Sequence, residues 1–221
     1  MKVFHLPAKV RALIFDMDLT LYTNAAYAQY QIDSLVERLG KIRGLPFEEM
    51  KSEIDVRKKA WALSNNGKKP SFSKILNGYG ISTEEIATWR NEILEPEQFI
   101  NEDLKLKETL KKLSLFFTFG LVTNNPVLVA RKTLAALGVT EFFPIIVGLD
   151  TCLTAKPSEK PFLKFMEITS IPVETCVSIG DRYDVDLDIP LKMGMGAILV
   201  DGVEDIYELP GIILEGGYYG V

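Results

Sequence analysis

The chain has 221 residues, 47% of them hydrophobic and 25% charged, with a net charge of −5. That is enough for one large domain, or a domain with a sizeable insert, whose core needs neither a disulfide nor a structural metal. The acidic balance excludes a nucleic-acid-coating or polybasic membrane surface, so an anionic substrate must be drawn in by local groups or a bound cation.

The first expected strand, residues 10–15, is a short apolar run that ends abruptly in Asp16, Asp18 and Thr20. From 21 to about 100 the character becomes helical. Ile32, Leu35, Val36 and Leu39 share one face, Gly40 and Gly44 close that helix, and Pro46 with Glu48 and Glu49 opens the next, to about Leu63. Residues 64–70 read as a loop. Further helices are expected over 71–77 and 82–94, the latter opened by a capping box of Ser82 and Glu85.

After this insert, strands and helices alternate. A helix over 101–113 capped by Asn101 precedes a Phe-rich strand over 115–123, and a helix over 127–137 is stopped by Gly138. A short strand at 144–147 leads into a loop containing Lys156 and Pro157. A helix at 159–169, a strand at 176–179 and a loop over 180–186 follow. A helix over 188–193, a strand at 197–200 and a small edge strand at 212–214 complete the set. Such alternation implies right-handed crossovers and a parallel sheet covered on both faces.

His5 is the sole histidine, which removes most His-based zinc sites and argues against a His-assisted Ser or Cys nucleophile. Cys152 and Cys176 form no C-x-x-C pair and read as reduced thiols. The apolar stretch at 1–7 is too short for a signal peptide and no run is long enough to span a bilayer, so a soluble cytoplasmic protein is expected.

Alone, Asp16 and Asp18 fit either a solvated turn or a reactive pair. Polar residues recur, however, at the same address, the carboxyl end of a strand: Thr123 and Asn124 after the second, Lys156 after the third, Asp181 after the fourth. Ligands of open α/β sheets bind at that edge, and separate solvated turns have no reason to choose it. Asp16, Asp18 and Asp181 are hard oxygen ligands that suit Mg²⁺. Lys156, Thr123 and the amides after it suit a phosphate, and a carboxylate between the two can attack phosphorus.

The ordered set Asp16-x-Asp18-x-Thr20, Thr123, Lys156-Pro157 and Gly180-Asp181-x-x-x-x-Asp186 resembles the four motifs of the haloacid dehalogenase (HAD) superfamily. The likeness is to its phosphatases with a helical cap of the first class. It implies an α/β fold, a Rossmann-like parallel core of residues 1–21 and 101–221, with a helical cap of 22–100 inserted after the first strand. By the same resemblance, Asp16 is the nucleophile and a metal ligand. Asp18 gives the metal a backbone carbonyl and serves as general acid, then base. Thr123 and Asn124 bind the phosphoryl group, and Lys156 ties it to the nucleophile. Asp181 is a metal ligand, Asp186 positions the metal shell, and Thr20 braces the first loop.

The implied activity is Mg²⁺-dependent hydrolysis of a small phosphorylated metabolite through an aspartyl-phosphate, with no nucleic-acid or membrane partner. Asp18 speaks against dehalogenation, since halide departs without a proton. A sugar-phosphate mutase is the nearer alternative, weakened by an insert without histidine; an inactive HAD-like binding protein is a more distant one. Asp184 reads as a loop hydrogen-bonding residue or a member of the acidic cluster. In the insert, Arg57, Lys58, Lys59, Trp61, residues 65–69 and the hinge tyrosines Tyr22, Tyr27 and Tyr30 are specificity candidates that also read as ordinary surface or core residues.

Overall fold

In the computed structural model, which describes residues 1–218, the amino-terminal arm forms a strand absent from the expected set, β1 (Lys2–His5). Each of its residues is exposed, so no burial pattern announced it; it adds antiparallel to the edge of the sheet. Next come β2 (Ala12–Phe15), α1 (Ala25–Arg43), α2 (Phe47–Ser64), α3 (Phe72–Asn77), α4 (Thr83–Ile93) and α5 (Leu104–Ser114). The alternating half holds β3 (Thr118–Val122), α6 (Val127–Leu137), β4 (Ile145–Val147), α7 (Leu149–Cys152), α8 (Lys160–Thr169) and β5 (Cys176–Gly180). It ends with α9 (Asp188–Lys192), β6 (Gly196–Leu199) and α10 (Val203–Ile213).

The sheet order is β1-β6-β5-β2-β3-β4, parallel except for β1. Alternation along β2 sorts its side chains to two faces. Leu13 and Phe15 join a cluster with Leu110, Leu134 and Ile206, from α5, α6 and α10. Ala12 and Ile14 join Phe162 and Phe165 of α8 on the other face. Gly120 on β3 is required there, because a Cβ would stand 2.2 Å from the Phe165 ring.

The inserted helices α1 to α4 share a second core built on Leu35, Leu39, Met50, Ile54, Ile86 and Trp89, with Leu149 of α7 reaching into it. Each such side chain contributes roughly 1.5–3 kcal/mol when fully buried. The capping box of Ser82 and Glu85 is formed. Asn24 caps α1 by accepting from the Tyr27 N–H at 2.9 Å while donating to the Phe99 carbonyl at 2.7 Å. One side chain thereby clasps both chain segments that lead into and out of the insert.

Three expectations are corrected. The helix after the insert starts at Leu104 and is capped by Asp103, whose side chain accepts from the Leu106 N–H at 2.8 Å; Asn101 lies outside it. Residues 212–214 form no edge strand: Ile213 is a buried position at the end of α10, on the same stripe as Ile206 and Leu209. The stretch after Gly180 is not all loop, since Tyr183–Leu187 winds into a π-helical turn, a form often found at functional sites. Among the described residues no helix is long and apolar enough to cross a membrane.

Candidate active site

The chain leaves β2 for β3 and β4 on one side and returns to β5 and β6 on the other, so strand order reverses at β2. The crevice beyond the carboxyl ends of β2, β3 and β5 is therefore the expected ligand site. Asp16 follows β2 directly and stays tied to the sheet, its N–H donating to the Ile179 carbonyl at 2.8 Å. Three residues later Leu19 takes a left-handed backbone (φ 58°), which costs about 1–2 kcal/mol for a residue with a side chain. Asp18, just before that turn, has a different set of partners from Asp16.

Lys156 stands at the centre of the first set. Its ammonium donates to Asp16 Oδ1 at 2.6 Å and pairs with Asp186 Oδ1 at 2.7 Å, with the lysine only 2% exposed. The Asn124 side chain holds it in place: its oxygen accepts from the Lys156 N–H at 2.6 Å, and its nitrogen donates to the Lys156 carbonyl at 3.1 Å. Asp186 can come this close because Gly180 has no Cβ; one would lie 2.5 Å from the Asp186 Cβ. Asp186 is fixed in turn by the Arg182 N–H (3.1 Å) and by the Ser178 hydroxyl on its carbonyl (2.8 Å).

Carboxylate oxygens of Asp16, Asp181 and Asp186 all lie within 4.8 Å of one another. Burial pushes Asp16 well above the usual carboxylate range; Lys156 opposes this, and Asp186, Asp18 and Asp181 reinforce it. Asp181 is pushed up to about 6, by burial first and Asp186 second. Burial pulls Lys156 down, yet Asp16 and Asp186 outweigh it and leave the ammonium more basic than usual. The cluster is thus short of positive charge, and its all-oxygen donor set fits a hard divalent cation.

A prediction follows for the metal-free protein. Asp181 holds its proton more tightly folded than unfolded, so its contribution to stability is full below the ordinary value of 3.8 and is lost as pH rises through about 6. A hard cation meets that deficit only once the proton has left. Saturating Mg²⁺ is therefore expected to raise the melting temperature more at about pH 7.5 than at about pH 5, and Asp181→Asn to lose most of the shift. A larger shift at the lower pH would contradict the assignment.

Asp18 belongs to a separate network. Its Oδ1 accepts from the Tyr22 hydroxyl and from Gln31 Nε2 (2.7 Å), and its Oδ2 from Asn125 Nδ2 (2.8 Å). Asn125 Nδ2 also donates to Gln31 Oε1 at 2.9 Å. Behind the two amides lies Arg90, 6% exposed, whose guanidinium donates to Asn125 Oδ1 at 2.6 Å and to Gln31 Oε1 at 3.4 Å. Burial pulls Arg90 down from its usual value and Asp18 holds it up; an arginine stays charged throughout.

Thr123 sits at the end of β3, where its hydroxyl accepts from the Asn125 N–H at 3.1 Å. Thr20 is fully buried and its hydroxyl has no partner, so it fills space under the first loop without a polar tie. Asp184 lies apart from the acidic cluster and accepts from the Lys69 N–H at 3.4 Å. Within the insert, Arg57 stacks on Tyr79 (4.0 Å) and donates to the Gly78 carbonyl, which leaves it no reach to the site.

Gln31, Arg90 and Asn125 were not singled out from the sequence. Gln31 and Arg90 did leave a trace, each a polar residue on an otherwise buried helical stripe: Tyr27, Gln31, Leu35 on α1 and Ile86, Arg90 on α4. The acids, Lys156 and these residues line a cavity of about 240 Å³. A cleft of about 460 Å³ adjoins it, sharing Ser71 and Lys156 and bordered by Trp61, Lys68, Lys69 and Lys74.

Comparison with known proteins bears on this arrangement. The family model for haloacid dehalogenase-like hydrolases matches residues 13–200. A phosphoglycolate phosphatase of Aquifex aeolicus is 26% identical over 187 residues, 84% of this chain and 82% of the relative. Among solved structures, a HAD phosphatase from Thermococcus onnurineus superposes with a TM-score of 0.61 at 19% identity, covering 92% of this chain and 98% of its own. A beta-phosphoglucomutase from Clostridium difficile does so with 0.53 at 16%, covering 92% and 99%; at these identities the two structures share the fold alone.

Proposed function

The chain belongs to the haloacid dehalogenase-like hydrolase family and is a phosphatase within it, and on that premise we propose that it is a Mg²⁺-dependent phosphomonoesterase working through a phosphorylated Asp16. The observation that carries the reading is the separation of two carboxylates only two residues apart. Asp16 faces Lys156 and the acidic cluster, while Asp18 is held by three neutral donors. Two carboxylates in unlike surroundings can take unlike roles.

Asp16 attacks phosphorus and the bond to the leaving oxygen breaks, with Asp18 giving that oxygen a proton. Asp18 then takes a proton from water as the water attacks phosphorus, releasing inorganic phosphate and restoring Asp16. Thr123 and the main chain after it hold the phosphoryl oxygens. Lys156 offsets the repulsion between Asp16 and an incoming dianion. Asp16 and Asp181, with the backbone carbonyl of Asp18, would hold Mg²⁺, which when bound supplies further positive charge against the phosphoryl group. Asp186 supports that shell and anchors Lys156.

Residues 22–100 act as a cap in this reading. Support comes from Gln31 and Arg90, which reach the cavity, and from Lys68 pairing with Asp188 at 3.3 Å. The cavity has room for a phosphoryl group with a few carbon atoms, which supports a small phosphorylated metabolite as the substrate. A two-carbon phosphorylated acid such as phosphoglycolate, the substrate named for the Aquifex aeolicus relative, suits it.

A screen of phosphoglycolate, sugar phosphates and nucleotides with Mg²⁺ tests the proposal. Phosphate release is expected to be fastest from the smallest monoester and to stop reversibly with EDTA. Conversion of a sugar phosphate into its positional isomer without phosphate release, followed by ³¹P NMR, would instead indicate a mutase. A folded protein that releases phosphate from none of them would refute hydrolysis.

A further inference from the structure

Arg90 is a guanidinium almost wholly buried, paired with no carboxylate among the described residues, and its Nε has no acceptor at all. Burying a charge in this way is costly, so its setting calls for a reason. We propose that Arg90 is a positioning residue that locks the amide orientation of Asn125 and Gln31, and through them the side chain of Asp18. The inference rests on the reading of Asp18 as proton donor and acceptor.

Hydrogen-bond polarity sets the constraint. A terminal amide can turn either end toward a neighbour, and a carboxylate is served only by the N–H end. Were Asn125 reversed, its oxygen would face Asp18 Oδ2 at the 2.8 Å now spanned by a donor. Gln31 at 2.7 Å from Oδ1 has the same constraint. An arginine has donors only. By contacting Asn125 Oδ1 and Gln31 Oε1 it draws both oxygens to one side and leaves both N–H ends for Asp18. A lone carboxylate could select that orientation weakly; a cation behind the amides strengthens each bond of the chain, since charge-assisted hydrogen bonds are about twice as strong as neutral ones.

The residues come from two parts of the fold. Asp18 and Asn125 follow β2 and β3, whereas Gln31 lies on α1 and Arg90 on α4. Asp18 is therefore fully held only while the inserted helices rest on the sheet edge as they do here.

Kinetics of Arg90→Met, Arg90→Lys and Asp18→Asn on phosphoglycolate and on p-nitrophenyl phosphate test this, with thermal melts to confirm folding. Arg90→Met is expected to lower kcat roughly 10- to 100-fold on both substrates, with KM within about threefold of wild type. Arg90→Lys, still a donor-only cation, is expected to recover most of it. If Arg90→Met does not fold, Arg90→Gln replaces it: its amide can present an oxygen as readily as an N–H, and the same loss is expected. Wild-type kcat in a folded Met or Gln variant would overturn the inference. So would a rise in KM for phosphoglycolate alone with kcat preserved, which would make Arg90 a direct ligand of the substrate carboxylate. Wild-type kcat in Asp18→Asn would instead overturn the role of Asp18, whereas an inactive Asp18→Asn beside a fully active Arg90→Met fails the inference alone.

Discussion

Replacing Asp16 by Asn is expected to lower kcat on p-nitrophenyl phosphate by about 10⁴-fold or more, without lowering the melting temperature of the metal-free protein. The two halves of that result rest on one feature. Asp16 is buried beside Asp186, Asp18 and Asp181, and its carboxyl is pushed well up for that reason. An acid raised in the folded state loses stabilising power as pH increases, so its charge, once formed, is a burden that a neutral amide relieves. Lys156 keeps Asp186 as a partner. What the amide cannot do is attack phosphorus. A variant that turns over at the wild-type rate would remove Asp16 from the role of nucleophile, and one that is inactive because it is unfolded would show the cluster to be balanced differently.

Lys156→Met carries the largest expected effect on stability. The side chain is almost fully buried and serves two carboxylates at 2.6 and 2.7 Å. Removing one partner of a buried ion pair typically costs about 3–5 kcal/mol, or very roughly 6–20 °C for a chain of this size. The loss should shrink as pH falls, because Asp16, whose carboxyl burial already pushes up, can take up a proton once its cation is gone. Activity should fall as well, since a phosphate dianion would then meet uncompensated carboxylates. Melting curves at two pH values and kcat measurements decide the matter: a loss of stability that does not depend on pH would mean that Lys156 matters for packing and not for charge.

Much of the sheet was legible because burial on both faces writes near-continuous apolar runs, and the strands of the alternating half were found from those runs. The candidate site residues Asp16, Thr123 and Asp181 stand out because they interrupt that pattern at or just past strand ends, whereas Lys156, in the loop beyond β4 and α7, stands out only through its place in the ordered set of motifs. Other features left weaker marks. Lys2–His5 is a strand only because β6 offers a free edge, and its own residues are all exposed. Residues 212–214 have an apolar composition that suits a strand, but the end of an amphipathic helix buries Ile213 and packs Ile212 and Leu214, partly buried, against the same core. Asp103 took the capping place expected for Asn101 because the chain stays extended for two residues more.

Gln31 and Arg90 were hidden for a different reason. Each belongs to a helix whose role is read from its apolar residues, and a single polar position on a buried stripe is easily taken for tolerance. Their meaning appears only when α1 and α4 are placed over Asp18, a relation between segments that lie far apart in the chain. Asn125 was overshadowed by its neighbours Thr123 and Asn124, although it is the residue that contacts Asp18. The side chain of Asn124, in contrast, serves the Lys156 main chain.

The central claim is that Asp16 carries the phosphoryl group during turnover. Rapid quenching of the wild-type protein with Mg²⁺ and a substrate labelled in its phosphoryl group, followed by borohydride reduction and peptide mass spectrometry, tests it directly. An acyl phosphate is reduced to an alcohol, so a hydroxylamine-sensitive label and homoserine at position 16 are the expected result. Label on another residue, or continued turnover with no trapped phosphoprotein and no homoserine at position 16, would contradict it.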